Sequence, residues 1–233
     1  MKRSEINTIL RSAIQFIHDQ HFALPPFAYW TPESWGTKGE EVREIVDRKL
    51  GWDITDFGSG DFERIGLFLF TIRNGRPENL KTLQGKLYAE KLLIIQVNQV
   101  TPLHYHASKM EDIINRSGGR LGIELYESLP GGGLDRSAEV LVSLDGVQHH
   151  LPAGSQVFLT PGESITLTRG LYHRFWAEDA PVLAGEVSSV NDDEADNFFF
   201  DAPGRFPAIE EDEPPLYLLC NDYPRFYHPA KQV

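Results

Sequence analysis

Two spacings divide the hydrophobic pattern of this chain. Near the start, Ile6, Ile9, Leu10, Ala13, Ile14 and Ile17 recur at helical intervals, which predicts a helix with one apolar face and Ser4 as its cap. Leu24-Pro25-Pro26-Phe27 stops it, and Thr31-Pro32 predicts a short capped turn through Trp35. A second helix is expected from about Glu40 to Leu50, with Val42, Ile45 and Val46 inward and Gly51 ending it. From about Phe62 the texture changes to short apolar runs: Gly66–Ile72, Leu87–Gln99, Leu121–Tyr126, Glu139–Leu144, Gln156–Leu159, Ser164–Thr168 and Val182–Val190. Asn74-Gly75, Asp145-Gly146 and Pro161-Gly162 mark turns between them. Such strands, unbroken by helices, predict a mainly β protein built as an antiparallel sandwich or barrel rather than βαβ units. Residues 1–60 then form a helical extension packed on a barrel of residues 61–233, together a single structural domain.

One β-type segment carries chemistry. His104-Tyr105-His106 places two imidazoles one residue apart, and alternate residues of a strand project from the same face. The four residues that follow let Glu111 return to that face, with His173 as a distant fourth member. Imidazole and carboxylate together suit a borderline divalent ion such as manganese, iron, nickel or zinc. Pro102 before the pair and Gly118-Gly119 after it bound the segment with turn signals. The pattern predicts a metal site inside a β-barrel. Other histidines fit it less well: His149 and His150 are adjacent and face opposite sides of a strand, and His18 and His21 close the first helix. Gly131-Gly132-Gly133 lacks the Lys-Ser/Thr of a phosphate loop and reads as a hairpin connection.

Charge narrows the choice of partner. With 34 acidic against 22 basic residues the net charge is −12, which argues against nucleic acid and anionic membranes. The single cysteine, Cys220, has no intrachain disulfide partner and reads as a small buried hydrophobe. The opening Met1-Lys2-Arg3-Ser4-Glu5 lacks the apolar core of a signal peptide, and no apolar run reaches membrane-spanning length. These features lead us to expect a cytoplasmic protein.

Pro102-Leu103-His104-Tyr105-His106-Ala107-Ser108-Lys109-Met110-Glu111, with Gly118 following, resembles the first cupin motif. Pro161-Gly162-Glu163-Ser164 leading to Gly170-Leu171-Tyr172-His173 resembles a stretched second one. The whole chain is similar to the longer type of bacterial D-lyxose isomerase. The resemblance runs through Leu24-Pro25-Pro26-Phe27-Ala28, Leu50-Gly51-Trp52-Asp53, Tyr88-Ala89-Glu90-Lys91 and Glu111-Asp112-Ile113-Ile114-Asn115-Arg116. It continues through Gly170-Leu171-Tyr172-His173-Arg174-Phe175-Trp176-Ala177-Glu178, Gly185-Glu186-Val187-Ser188-Ser189-Val190-Asn191-Asp192-Asp193 and Glu211-Asp212-Glu213-Pro214. It implies a cupin-type jelly-roll barrel and a homodimer. It also implies a divalent-metal isomerase that converts D-lyxose to D-xylulose and D-mannose to D-fructose, with manganese the expected ion and zinc, iron, cobalt or nickel as alternatives.

Isomerisation moves a proton between adjacent carbons while the carbonyl changes place. The expected ligands His104, His106, Glu111 and His173 leave positions open for the two substrate oxygens. A single metal site favours proton transfer through a cis-enediol over a two-metal hydride shift. Lys109 lies between two of these ligands, and a nearby metal charge is expected to lower its pKa, making it a neutral base or a donor to a substrate oxygen. On the resemblance, Glu211 is the expected base, with Glu210 and Asp212 as neighbours able to replace it, while Arg205 and Glu90 are candidates for sugar-hydroxyl contacts. Two rival functions use the same scaffold: a cupin dioxygenase with the same three-histidine, one-glutamate set, and a non-catalytic sugar-binding cupin.

Overall fold

The structure, a computed structural model, describes residues 1–201, 204 and 206–229. Arg205, expected to touch the sugar, lies outside the described residues. Helix α1 (Arg3–Asp19) buries Ile6, Leu10, Ala13 and Ile17, the stripe read from the sequence. Its cap is Lys2 rather than Ser4. The backbone N–H of Lys2 donates to Glu5 at 2.7 Å, while the Ser4 hydroxyl is drawn away to Asp212 at 2.6 Å. Thr31 caps α2 (Pro32–Trp35) by accepting from the Ser34 N–H. The predicted second helix is shorter than expected: a 3-10 turn, Glu40–Val42, leads into α3 (Arg43–Asp47). Lys49 then turns left-handed at φ 49°, and the chain enters a strand at Gly51. Short helices α4 (Pro77–Thr82) and α5 (Tyr223–Phe226) complete the α-helices among the described residues, and Pro26–Tyr29 adds a further 3-10 turn.

The described strands are β1 (Gly51–Thr55), β2 (Leu67–Arg73), β3 (Tyr88–Ile95), β4 (Val100–Tyr105), β5 (Glu111–Ser128) and β6 (Leu134–Asp135). They continue as β7 (Val140–Leu144), β8 (Val147–Leu151), β9 (Gln156–Leu159), β10 (Ser164–Leu167), β11 (Leu171–Ser189) and β12 (Phe198–Phe199). All their pairings are antiparallel, and Asp145-Gly146 turns β7 into β8 as its sequence predicts. Two long strands organise the barrel. The first half of β11 pairs with β4 and with the second half of β5, which also carries β9. Its second half pairs with β3 and with the first half of β5, which carries β10. β5 and β11 thus bend together from one sheet into the other, which is the jelly-roll arrangement.

The bend falls where the β5–β11 register shifts between Glu178 and Val182. Gly118 stands opposite with φ 97°, and a Cβ there would meet the Pro181 carbonyl oxygen at 2.0 Å. The glycine pair therefore does not bound the segment as a turn, which its sequence predicts, because β5 continues through it. It lets one strand pass through a close crossing.

Two apolar layers hold the barrel. Leu69, Leu93, Ile95, Ile113, Ile123, Leu125, Ile165, Leu167 and Phe175 fill its interior. Alternate residues on the other face of the same strands, Phe68, Phe70, Leu92 and Ile94, meet α1 through Ile6, Leu10 and Ile17. Strand β3 is buried on both faces and reads as a continuous Leu92-Leu93-Ile94-Ile95 run for that reason.

Candidate active site

The two adjoining strands β4 and β11 set His104 opposite His173. His106 follows the end of β4, and Glu111 opens β5 after a tight connection. The three imidazoles offer nitrogen atoms that all lie within 4.8 Å of one another, and all three rings are buried. Each ring is fixed through Nδ1: His104 to the Pro102 carbonyl at 2.8 Å, His106 to the Asp196 carbonyl at 2.7 Å, and His173 to the Leu171 carbonyl at 3.0 Å. A carbonyl can only accept, so Nδ1 carries the proton in every case and Nε2 keeps its lone pair. His173 Nε2 is buried with no hydrogen bond, although Glu111 Oε1 lies 3.2 Å away and also 3.5 Å from His106 Nε2. Lone pairs turned toward one point beside a carboxylate, with second nitrogens anchored by carbonyls, fit a divalent metal ion.

Electrostatics agree with neutral ligands. Burial, reinforced by His173 and His106, holds the His104 pKa well below the ordinary imidazole value. Burial also lowers that of His106, with the Lys109 charge acting in the same sense. For Glu111 burial alone would raise the pKa. Lys109 and His106 outweigh it and keep the carboxyl well below the usual range.

Lys109 occupies the site, as its place between two of the expected ligands implies. Its Nζ lies 2.5 Å from Glu111 and 2.9 Å from Glu186, and the side chain is buried. Burial by itself would lower its pKa; the carboxylates of Glu111 and Glu186 overcome that and raise it. Glu186 is 4% exposed, and its other neighbour is Lys91 Nζ at 3.6 Å. Lys91 donates in turn to Asn191 at 2.8 Å and lies 3.4 Å from Asp193. Lys91, Lys109, Glu186, Asp193 and Asn197 join His104, His106, Glu111 and Thr101 in the polar lining of the metal-side cavity, and Phe57, Leu67, Leu69, Leu93, Ile113, Phe175 and Phe199 form its apolar lining. Strand β12 covers one side, pairing Phe199 with His104 and Phe198 with Tyr105.

Two expected site residues lie elsewhere. Glu211 faces Arg3 at 2.8 Å and Arg225 at 3.0 Å, tying the C-terminal segment to the start of α1. Asp212 binds Ser4, and Glu210 forms a bridge with Lys2. None of these three acids lines the metal-side cavity, where the expected base would have to reach the sugar; their contacts join two chain segments. Glu90 pairs with Arg73 at 2.8 Å on the side of β3 opposite to Lys91, because adjacent strand residues alternate. Glu186, Lys91, Asp193 and Asn197 escaped the sequence reading, though a signal for Glu186 existed. Val182, Ala184, Glu186 and Ser188 alternate along β11, and the first two are core residues.

Comparison with known proteins completes the picture. A family model described as D-lyxose isomerase matches residues 1–223. A D-lyxose/D-mannose isomerase of Serratia proteamaculans is 48% identical over 229 residues, covering 97% of this chain and 99% of that protein. One from Escherichia coli O157:H7 is 46% identical over 229 residues, covering 97% and 100%. Among solved structures, L-ribose isomerase of Cellulomonas parahominis with L-ribose shares the fold at a TM-score of 0.58 and 19% identity, over 90% of this chain and 98% of that one. With the barrel, the histidine cluster and these near full-length relatives together, the chain belongs to the D-lyxose isomerase family and is an aldose–ketose isomerase.

Proposed function

We propose that the protein interconverts D-lyxose with D-xylulose and D-mannose with D-fructose, using one divalent ion, manganese by preference, held by His104, His106, Glu111 and His173. The relatives named for lyxose and mannose support the substrate pair, and both aldoses share the configuration at C2. The observation that carries the reading is the convergence of three Nδ1-anchored imidazoles beside the buried Lys109–Glu186 pair. The ion supplies positive charge to the two oxygens between which the carbonyl moves.

The rest is done by side chains. Glu186 is the base: a buried carboxylate in the same cavity, left over once Glu111 is given to the metal. It removes the proton from C2 of the aldose and returns it to C1, through a cis-enediol. Lys109, 2.9 Å from Glu186, gives a proton to O1 as that oxygen gains electron density and recovers one from the O2 hydroxyl, which becomes the ketose carbonyl. Lys91, Asp193 and Asn197 orient the remaining hydroxyls, and the apolar lining excludes water. A homodimer and a cytoplasmic setting belong to this reading, and the family resemblance supports the first.

Manganese-loaded protein incubated without oxygen should form xylulose from D-lyxose and, more slowly, fructose from D-mannose. Ketose quantification decides the matter: no ketose from either sugar, with bound manganese verified, overturns the proposal.

A further inference from the structure

We propose that Asp196 is a positioning residue that locks segment 106–109 into the shape required by the ligand His106 and by Lys109. Its kinetic consequence rests on the isomerase reading above; its effect on metal affinity does not. Asp196 lies between β11 and β12 and is 6% exposed. It accepts from four consecutive residues. Its carbonyl oxygen receives His106 Nδ1 at 2.7 Å, and its Oδ1 receives the N–H groups of Ala107 and Ser108 at 2.9 Å each and Ser108 Oγ at 3.0 Å. Its Oδ2 receives the Lys109 N–H at 2.9 Å.

These contacts answer a local problem. The chain leaves β4 at Tyr105 and re-enters a strand at Glu111, so the residues between have no ladder partners. Three successive backbone N–H groups turn the same way, and a carboxylate is the strongest acceptor available to them. The loop so fixed delivers two groups at once: the His106 ring, held in the tautomer that frees Nε2, and the Lys109 backbone, from which Nζ reaches Glu111 and Glu186. Asp196 also stands two residues before Phe198, where β12 begins to pair with β4, and the Phe199 ring sits 5.4 Å from the His104 ring. One residue therefore registers the metal-side loop against the strand that covers the cavity.

The test uses the full chain with Asp196→Ala and Asp196→Asn, and manganese alone as the first probe. The alanine keeps the backbone carbonyl for His106 but frees the loop, and the asparagine keeps the volume while turning an NH2 toward N–H donors. Both are expected to weaken manganese binding by about 10–100-fold, the usual cost of removing a group that orients a ligand. At saturating manganese both should lower kcat by a similar factor, with KM changing far less. A residue that only supports folding would lower the melting temperature and leave both constants unchanged. Manganese affinity and kcat within twofold of the parent overturn the proposal. If Asp196→Ala does not fold, the nearly isosteric Asp196→Asn decides by the same criteria. Because the manganese titration needs no sugar, it judges Asp196 even if the parent turns over no aldose.

Discussion

Glu211 sits between two guanidiniums near the surface, whereas Glu186 is enclosed with two lysines beside the imidazoles. Glu186→Gln preserves volume but removes the proton acceptor, so kcat should fall by about 10² or more with manganese still bound. Loss of solvent-deuterium exchange at C2 in parallel would locate the defect at proton transfer. Glu211→Gln should leave turnover unchanged. Its effect belongs to stability: hydrogen bonding from Arg3, reinforced by Arg225, holds the carboxyl below its ordinary value of 4.5. A carboxyl depressed in the folded state contributes stability above its unfolded pKa and loses it as pH falls through the folded one. Melting temperatures of parent and Glu211→Gln should therefore differ at pH 7 and converge as the pH drops below about 4.5. A gap that persists unchanged at pH 3 would show that the ion pairs are not its source.

At the scale of elements, the sequence showed the site better than the strands that build it. His104, His106, Glu111 and His173 announce themselves by residue type and spacing, and all come together. Glu186 does not, since a glutamate in an alternating strand looks the same whether its face turns to water or to an enclosed cavity. Strand β1 was missed because Gly51 reads equally as a helix stop and as a strand start. Gly118-Gly119 was read as a turn because glycine usually punctuates, yet β5 runs through it; the cause is the approach of the Pro181 and Glu178 carbonyls, which no local pattern reports. Gly118→Ala tests that account. A left-handed φ with a carbonyl in the way should cost about 1–3 kcal/mol, read as a lower denaturant midpoint at unchanged slope. An unchanged midpoint would mean that the crossing tolerates a side chain.

In the molecule as a whole, the class of the fold was legible because short apolar runs with turn residues between them leave few architectures open. Its connectivity was not, since the lengths of β5 and β11 reflect sheet-to-sheet contacts far apart in the chain. The exchange of those two strands between sheets also governs how the protein acquires its chemistry. His104, His106 and Glu111 are near neighbours in sequence, but His173 and Glu186 reach them only after β11 has paired along both halves of its length. Bringing distant segments into register is slow, because chain entropy is lost before the contacts that repay it exist. A divalent ion would have no complete binding place until that search is over. Such an ion would therefore act as a latch on the finished barrel rather than a template for making it. Followed by the fluorescence of the four tryptophans, refolding should proceed at the same rate with or without manganese, while unfolding of the loaded protein slows.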